Sequence, residues 1–125
     1  MKEQDLHNTI VNYLNLYPHM LWTSTLGGVF LGRKNYKQKS IIKKIYKKGV
    51  PDILIFEPNE EYNGLMVELK VKYNKPTEEQ KTWINNLNAR GYKAVVCRSL
   101  EEFTKLFNEY FKKFTRSITD IFWCS

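Results

Sequence analysis

The stretch Leu65-Met66-Val67-Glu68-Leu69-Lys70-Val71 constrains this chain more than any other. As a strand it sets Leu65, Val67, Leu69 and Val71 on one face and Met66, Glu68 and Lys70 on the other. A carboxylate and an ammonium therefore point the same way from an otherwise apolar strand. Upstream, Ile53-Leu54-Ile55-Phe56 is a short apolar run between Pro51 and Pro58, which reads as a strand buried on both faces. Asp52 stands at its mouth, where Pro51 fixes the approach of the backbone. The polar segment from Glu57 to Gly64 is rich in turn residues, so the two strands are expected to fold back as an antiparallel hairpin. That pairing would bring Asp52 close to Glu68 and Lys70.

Two carboxylates and one ammonium at the edge of an apolar sheet are costly unless a cation and an anionic substrate complete the set. Mg²⁺ suits such a place, because it takes oxygen ligands and is held by one or two carboxylates plus waters and phosphate. Asp52 and Glu68 are the expected metal ligands, with the backbone carbonyl of Leu69 as a third oxygen, and Mn²⁺ is expected to substitute. Lys70 is then placed to orient or deprotonate an attacking water and to offset charge developing on phosphate.

Gly49-Val50-Pro51-Asp52, followed by Glu68-Leu69-Lys70 and by Gln80 in a Pro-Thr-Glu-Glu-Gln helix start, resembles the VRR-NUC (virus-type replication-repair nuclease) branch of the PD-(D/E)XK superfamily. The likeness runs from Glu3 to about Glu102. It implies a restriction-endonuclease-like α/β core, a central mixed sheet flanked by helices with the metal ligands on the antiparallel hairpin. It also implies a DNA endonuclease that leaves a 3′-hydroxyl and a 5′-phosphate. Single-domain members are similar to Holliday-junction resolvases, which implies branched or junction DNA as substrate and a homodimer as the working form; larger members act on flaps. An acidic residue on the first helix belongs to the family's site, and Glu3 is the matching position. The competing reading of Glu3 is a helix-start glutamate favoured by the dipole. For Gln80 the resemblance favours a role near the attacking water or scissile phosphate, whereas its spacing from Thr77 is that of a capping box.

Charge adds a partner. Of the net +7 of this 125-residue chain, residues 33–48 hold eight basic side chains and no acid, while residues 49–125 balance at 11 of each sign. Ile41, Ile42, Ile45 and Tyr46 recur at helical spacing among these lysines, giving a basic amphipathic helical insert over about 33–48. Arg33, Lys34, Lys37, Lys43, Lys44, Lys47 and Lys48 are the expected DNA contacts there, against the alternative of a solvated face. Lys72 and Lys75, in the loop after Lys70, and Ser24, beside Gly27-Gly28, are further phosphate candidates, and Tyr73 either stacks on a base or packs.

The remaining chain reads as a helix from Glu3 to about Leu16, stopped by Pro18, then a strand over Met20–Leu26. Further on come a helix from Thr77 to Arg90 closed by Gly91, a strand over Tyr92–Arg98 and a last helix opened by a Ser99/Glu102 capping box. His7 is read as a surface partner of Glu3, not a ligand. Trp83, Ile84 and Leu87 form the expected buried stripe of the Thr77 helix. Leu100, Phe103, Leu106, Phe107, Tyr110, Phe111 and Phe114 make the last helix more apolar than one small sheet requires. With the aromatics of a tail over about 115–125, this surplus suggests a subunit interface.

The size suits one domain over 1–125, and 42% apolar residues suit a folded one. No run is long enough to span a bilayer and the start, Met-Lys-Glu-Gln-Asp, is no secretory signal, so a cytoplasmic protein without membrane contact is expected. Cys97 and Cys124 lack neighbours at metal-ligand spacing and fit a reduced compartment. A noncatalytic nucleic-acid-binding module of the same fold, or a flap or single-strand nuclease, is the alternative function, and a structural subunit a third.

Overall fold

The computed structural model describes residues 2–25, 44 and 47–123, with side chains as far as 112. Helix α1, Glu3–Leu14, is followed by strands β1, Trp22–Ser24, β2, Ile53–Ile55, and β3, Leu65–Leu69. Helix α2, Glu78–Ala89, then leads to β4, Lys93–Cys97, and α3, Leu100–Trp123. The strands form one mixed sheet in the order β1-β2-β3-β4. The first two pairings are antiparallel and β3–β4 is parallel, which is why a whole helix separates β3 from β4. The architecture is the α/β core expected, a four-stranded mixed sheet with three described helices.

Local chemistry explains each element. In α1 the Asp5 carboxylate accepts the Lys2 backbone N–H at 3.1 Å, and Leu6, Ile10 and Leu14 recur on the face that meets the sheet, all fully buried. The hairpin register sets Ile53 against Val67 and Ile55 against Leu65. These four, with Leu69, Cys97 and Phe103, join the α1 leucines in one core. Each such side chain contributes on the order of 1.5–3 kcal/mol when fully buried. The β2–β3 loop is stapled to α3, since Asn59 Nδ2 donates to the Tyr110 carbonyl at 3.0 Å and the Tyr110 hydroxyl donates to the Glu57 carbonyl at 2.7 Å. Helix α2 starts on a complete Thr77/Gln80 capping box and ends before Gly91, whose φ of 88° suits glycine alone. It crosses the face opposite α1 and α3, clamped to β4 by Asn88, which donates to and accepts from the Ala94 backbone at 3.1 and 3.0 Å.

Several expectations need correcting. The β2 run is not buried on both faces: Ile53 and Ile55 are buried, but Leu54 is half-buried and Phe56 is 43% exposed. Trp83, Ile84 and Leu87 are half-buried, because α2 lies over the edge strand β4 and not over the middle of the sheet. Glu102 does not close its box on Ser99; its carboxylate accepts the Arg98 backbone N–H at 2.8 Å, although Ser99 Oγ accepts the Glu102 N–H as expected. The apolar surplus of α3 is internal as far as Phe111. Phe103 and Phe107 take Tyr13 edge-on at 6.0 and 5.3 Å, and Phe111 packs tilted against Phe107 at 4.6 Å. The segment from 115 continues the helix to Trp123 instead of forming a tail. Side chains from Phe114 onward, Cys124, and Arg33, Lys34, Lys37 and Lys43 of the basic insert lie outside what is described.

Candidate active site

The site lies where the Asp52 end of β2 meets the Glu68 end of β3. The β1–β2 pairing continues past Ser24, with the Thr25 N–H donating to the Asp52 carbonyl at 2.9 Å and the Thr25 hydroxyl to the Pro51 carbonyl at 3.1 Å. Pro51 is fully buried. These contacts hold Asp52 so that its Oδ2 accepts the Leu69 backbone N–H at 2.9 Å. Asp52 is thereby latched to β3 beside Glu68. Glu68 and Lys70, on the opposite face from the Leu65-Val67-Leu69 row, are buried at 1% and 8% exposure, and Lys70 Nζ stands 3.8 Å from Glu68 Oε2. Glu3, in the first turn of α1, completes the group: one carboxylate oxygen each from Glu3, Asp52 and Glu68 lie within 4.8 Å of one another. Among the described residues this is the one acidic cluster that suits a metal ion.

Helix α2 closes the other side. Gly49 has a φ of 98°, and a Cβ there would lie 2.6 Å from the Glu79 carbonyl carbon and 2.9 Å from the Gln80 nitrogen. The glycine before Val50-Pro51-Asp52 thus lets the strand entrance touch the first turn of α2. That contact aims Gln80 at the site. Its Oε1 accepts the Thr77 N–H at 2.9 Å while its Nε2 donates to Glu68 Oε2 at 3.2 Å. Capping and site contact are therefore both true of Gln80.

Electrostatically the cluster is poised for a cation. Burial, then the nearby Asp52 charge, push the Glu68 carboxyl up to about 9, with Lys70 opposing. Glu3 is raised as well, by burial first, with Lys70 opposing and Asp52 adding. Glu68 Oε1 is buried without a hydrogen-bond partner, an acceptor left open where buried polar atoms are ordinarily satisfied. The donors are all carboxylate oxygens, the set a hard divalent ion prefers.

The expected nucleic-acid contacts are less gathered. Lys72 and Lys75 are exposed in the loop directly after Lys70. Ser24 is half-buried opposite Ile53, one residue from the Thr25 contacts to Pro51 and Asp52. Of the basic insert, Lys44 is helical and exposed, and Lys47 and Lys48 are exposed. Lys48 faces Glu79 at 3.9 Å with both side chains in solvent, a pair worth little. The Lys48 carbonyl accepts the Trp83 indole N–H at 3.1 Å, which gives Trp83 a structural task. His7 is half-buried, not a surface residue, and its Nε2 has no hydrogen-bond partner among the described residues. Arg98 was missed from sequence. Its guanidinium donates to the carbonyls of Lys72 at 3.1 Å and Asn74 at 2.7 Å, and a long cation just beyond a buried strand was the signal available.

Comparison with known proteins agrees with this geometry. A family model described as the VRR-NUC domain matches residues 3–101. A solved structure titled VRR_NUC domain protein superposes with a TM-score of 0.68 at 23% identity, covering 90% of this chain and 89% of its own. No curated protein matches the chain.

Proposed function

The chain belongs to the VRR-NUC family, and from that premise we propose that it is a Mg²⁺-dependent endonuclease hydrolysing phosphodiester bonds of DNA. A nuclease domain of this family implies phosphodiester hydrolysis and a DNA substrate. The observation that carries the finer reading is the convergence of Glu3, Asp52 and Glu68 oxygens within 4.8 Å around the unpartnered Glu68 Oε1.

In this reading Asp52 and Glu68 hold the metal, with Glu3 and the Leu69 carbonyl as further oxygens. Bound there, Mg²⁺ or Mn²⁺ supplies charge for the phosphate and acidifies a water. Lys70, fixed beside Glu68, would orient that water and face the negative charge that builds on the phosphoryl oxygens during in-line attack. Gln80 steadies Glu68 and lies within reach of the same water. Lys72, Lys75, Ser24 and the basic insert, Arg33, Lys34, Lys37, Lys43, Lys44, Lys47 and Lys48, hold the DNA backbone on either side. The resemblance to resolvases supports a homodimer acting on branched or junction DNA, two-fold symmetry setting two sites against paired strands. No described helix is long and apolar enough to cross a membrane.

Cleavage of labelled four-way junction, flap, single-stranded and duplex DNA with Mg²⁺ or Mn²⁺ tests this reading. Metal-dependent cutting, abolished by Asp52→Ala, with the junction preferred and a dimer in sedimentation, is the expected result. Binding without any metal-dependent cutting would replace it with a noncatalytic binding module.

A further inference from the structure

The loop after Lys70 is built to display one ring. Tyr73 is 95% exposed, the most exposed of the large apolar side chains described, and it stands between Lys72 and Lys75. A full tyrosine ring in water forfeits the burial that aromatic residues normally gain. The loop is nonetheless held firmly. The Asn74 N–H donates to the Val71 carbonyl at 3.1 Å, closing a turn, and Arg98 bridges the carbonyls of Lys72 and Asn74 on either side of Tyr73. Lys72 has a φ of 54°, a left-handed conformation that costs a non-glycine residue roughly 1 kcal/mol or more. A chain free to relax would not keep that angle, so Arg98 and the turn set the direction in which Tyr73 points.

We propose that Tyr73 is a stacking platform for an unpaired nucleobase next to the scissile phosphate, held outward by Arg98 as its positioning residue. The proposal rests on the nuclease reading above and adds the substrate feature recognised. Tyr73 follows Lys70 by three residues, so at most about 10 Å of extended chain separates their Cα atoms, the rise of about three stacked nucleotides. An aromatic face flanked by cations is how single-stranded nucleic acid is gripped without sequence preference. Bases inside a continuous duplex present no face to it. The feature Tyr73 reads is therefore an unstacked base within about three nucleotides of the cut.

Binding measured in EDTA separates this proposal from cleavage. The probes are a single-stranded oligonucleotide carrying 2-aminopurine and a blunt hairpin whose stem has the same sequence and whose strands are joined by a non-nucleotide linker, so that every base is paired. Tyr73→Ala should weaken single-strand binding roughly tenfold and remove the 2-aminopurine quenching, leave hairpin binding within about twofold, and Tyr73→Phe should retain both. Arg98→Ala should lower the quenching while hairpin binding stays. Equal affinity of wild type and Tyr73→Ala for the single strand, an equal loss on both probes, or no single-strand binding by the wild type would each overturn the proposal. Failure of the nuclease reading shows separately, as metal-dependent cutting that survives Asp52→Ala or is absent altogether.

Discussion

Replacing Glu68 by Gln should stabilise the metal-free protein while destroying its activity. The side chain is 1% exposed and its pKa rises from 4.5 to about 9, chiefly through burial and then through Asp52. The unfolded chain ionises near 4.5, whereas the folded one keeps its proton. Between those limits the unfolded state binds fewer protons, so stability falls as pH rises through the window. At pH 7 the interval already traversed corresponds to about 3 kcal/mol, at 1.36 kcal/mol per pH unit. An amide carries no such penalty and still accepts from Gln80, though it forgoes the Lys70 contact, which leaves a net gain of about 2 kcal/mol. For a domain of this size that raises Tm by roughly 6–8 °C. Thermal melts followed by circular dichroism in EDTA check it, with the gain gone or reversed at pH 5, where a penalty below about 1 kcal/mol no longer exceeds the cost of the lost Lys70 contact. Saturating Mg²⁺ should stabilise wild type and not the variant, closing or reversing the gap. A variant no more stable than wild type at pH 7, or a gain independent of pH, would refute the buried-carboxyl reasoning.

Gly49→Ala should destabilise by about 2–3 kcal/mol through its left-handed backbone and the forced contact with Glu79, and cleavage should drop further than the folded fraction because the first turn of α2 carries Gln80; parallel melts and rate measurements compare the two. Tyr110→Phe should lower stability by about 1 kcal/mol in urea denaturation, since the Glu57 carbonyl loses its donor, while cleavage per folded molecule stays unchanged.

What could be read from the sequence was what period and turn chemistry dictate. Strict alternation over Leu65–Val71 set Glu68 and Lys70 on one face, and the Glu57–Gly64 turn brought Asp52 beside them, as the register of Ile53 on Val67 requires. What escaped depends on which faces meet. The aromatics of α3 looked surplus because nothing in the sequence says that Tyr13 of α1 and Tyr17 just after it will pack against Phe107. The stripe on α2 looked buried because periodicity gives a face but not the strand beneath it, here the edge. The Arg98 bridge joins an arginine to carbonyls 26 and 24 residues away; residue type shows a long cation after a strand but does not say which backbone acceptors it meets.

The two readings of Gln80 point to how this site is assembled. A capping side chain is normally spent on its own helix, and a ligand-facing one is normally held by its neighbours. Here one amide does both, its oxygen on Thr77 and its nitrogen on Glu68, so the start of α2 is fixed in the act of being aimed. Gly49 permits the approach and the Leu69 N–H fixes Asp52, so backbone and a cap position the carboxylates. Among the described residues Lys70 is the cation set against these acids, and together with the Asp52 charge the burial of Glu68 keeps its carboxyl protonated. At Gly49 and Thr77 stability and activity should therefore fall together, while at Glu68 they should move in opposite directions, because only there does the metal-free fold hold a carboxyl that burial keeps protonated and that a bound cation would let ionise.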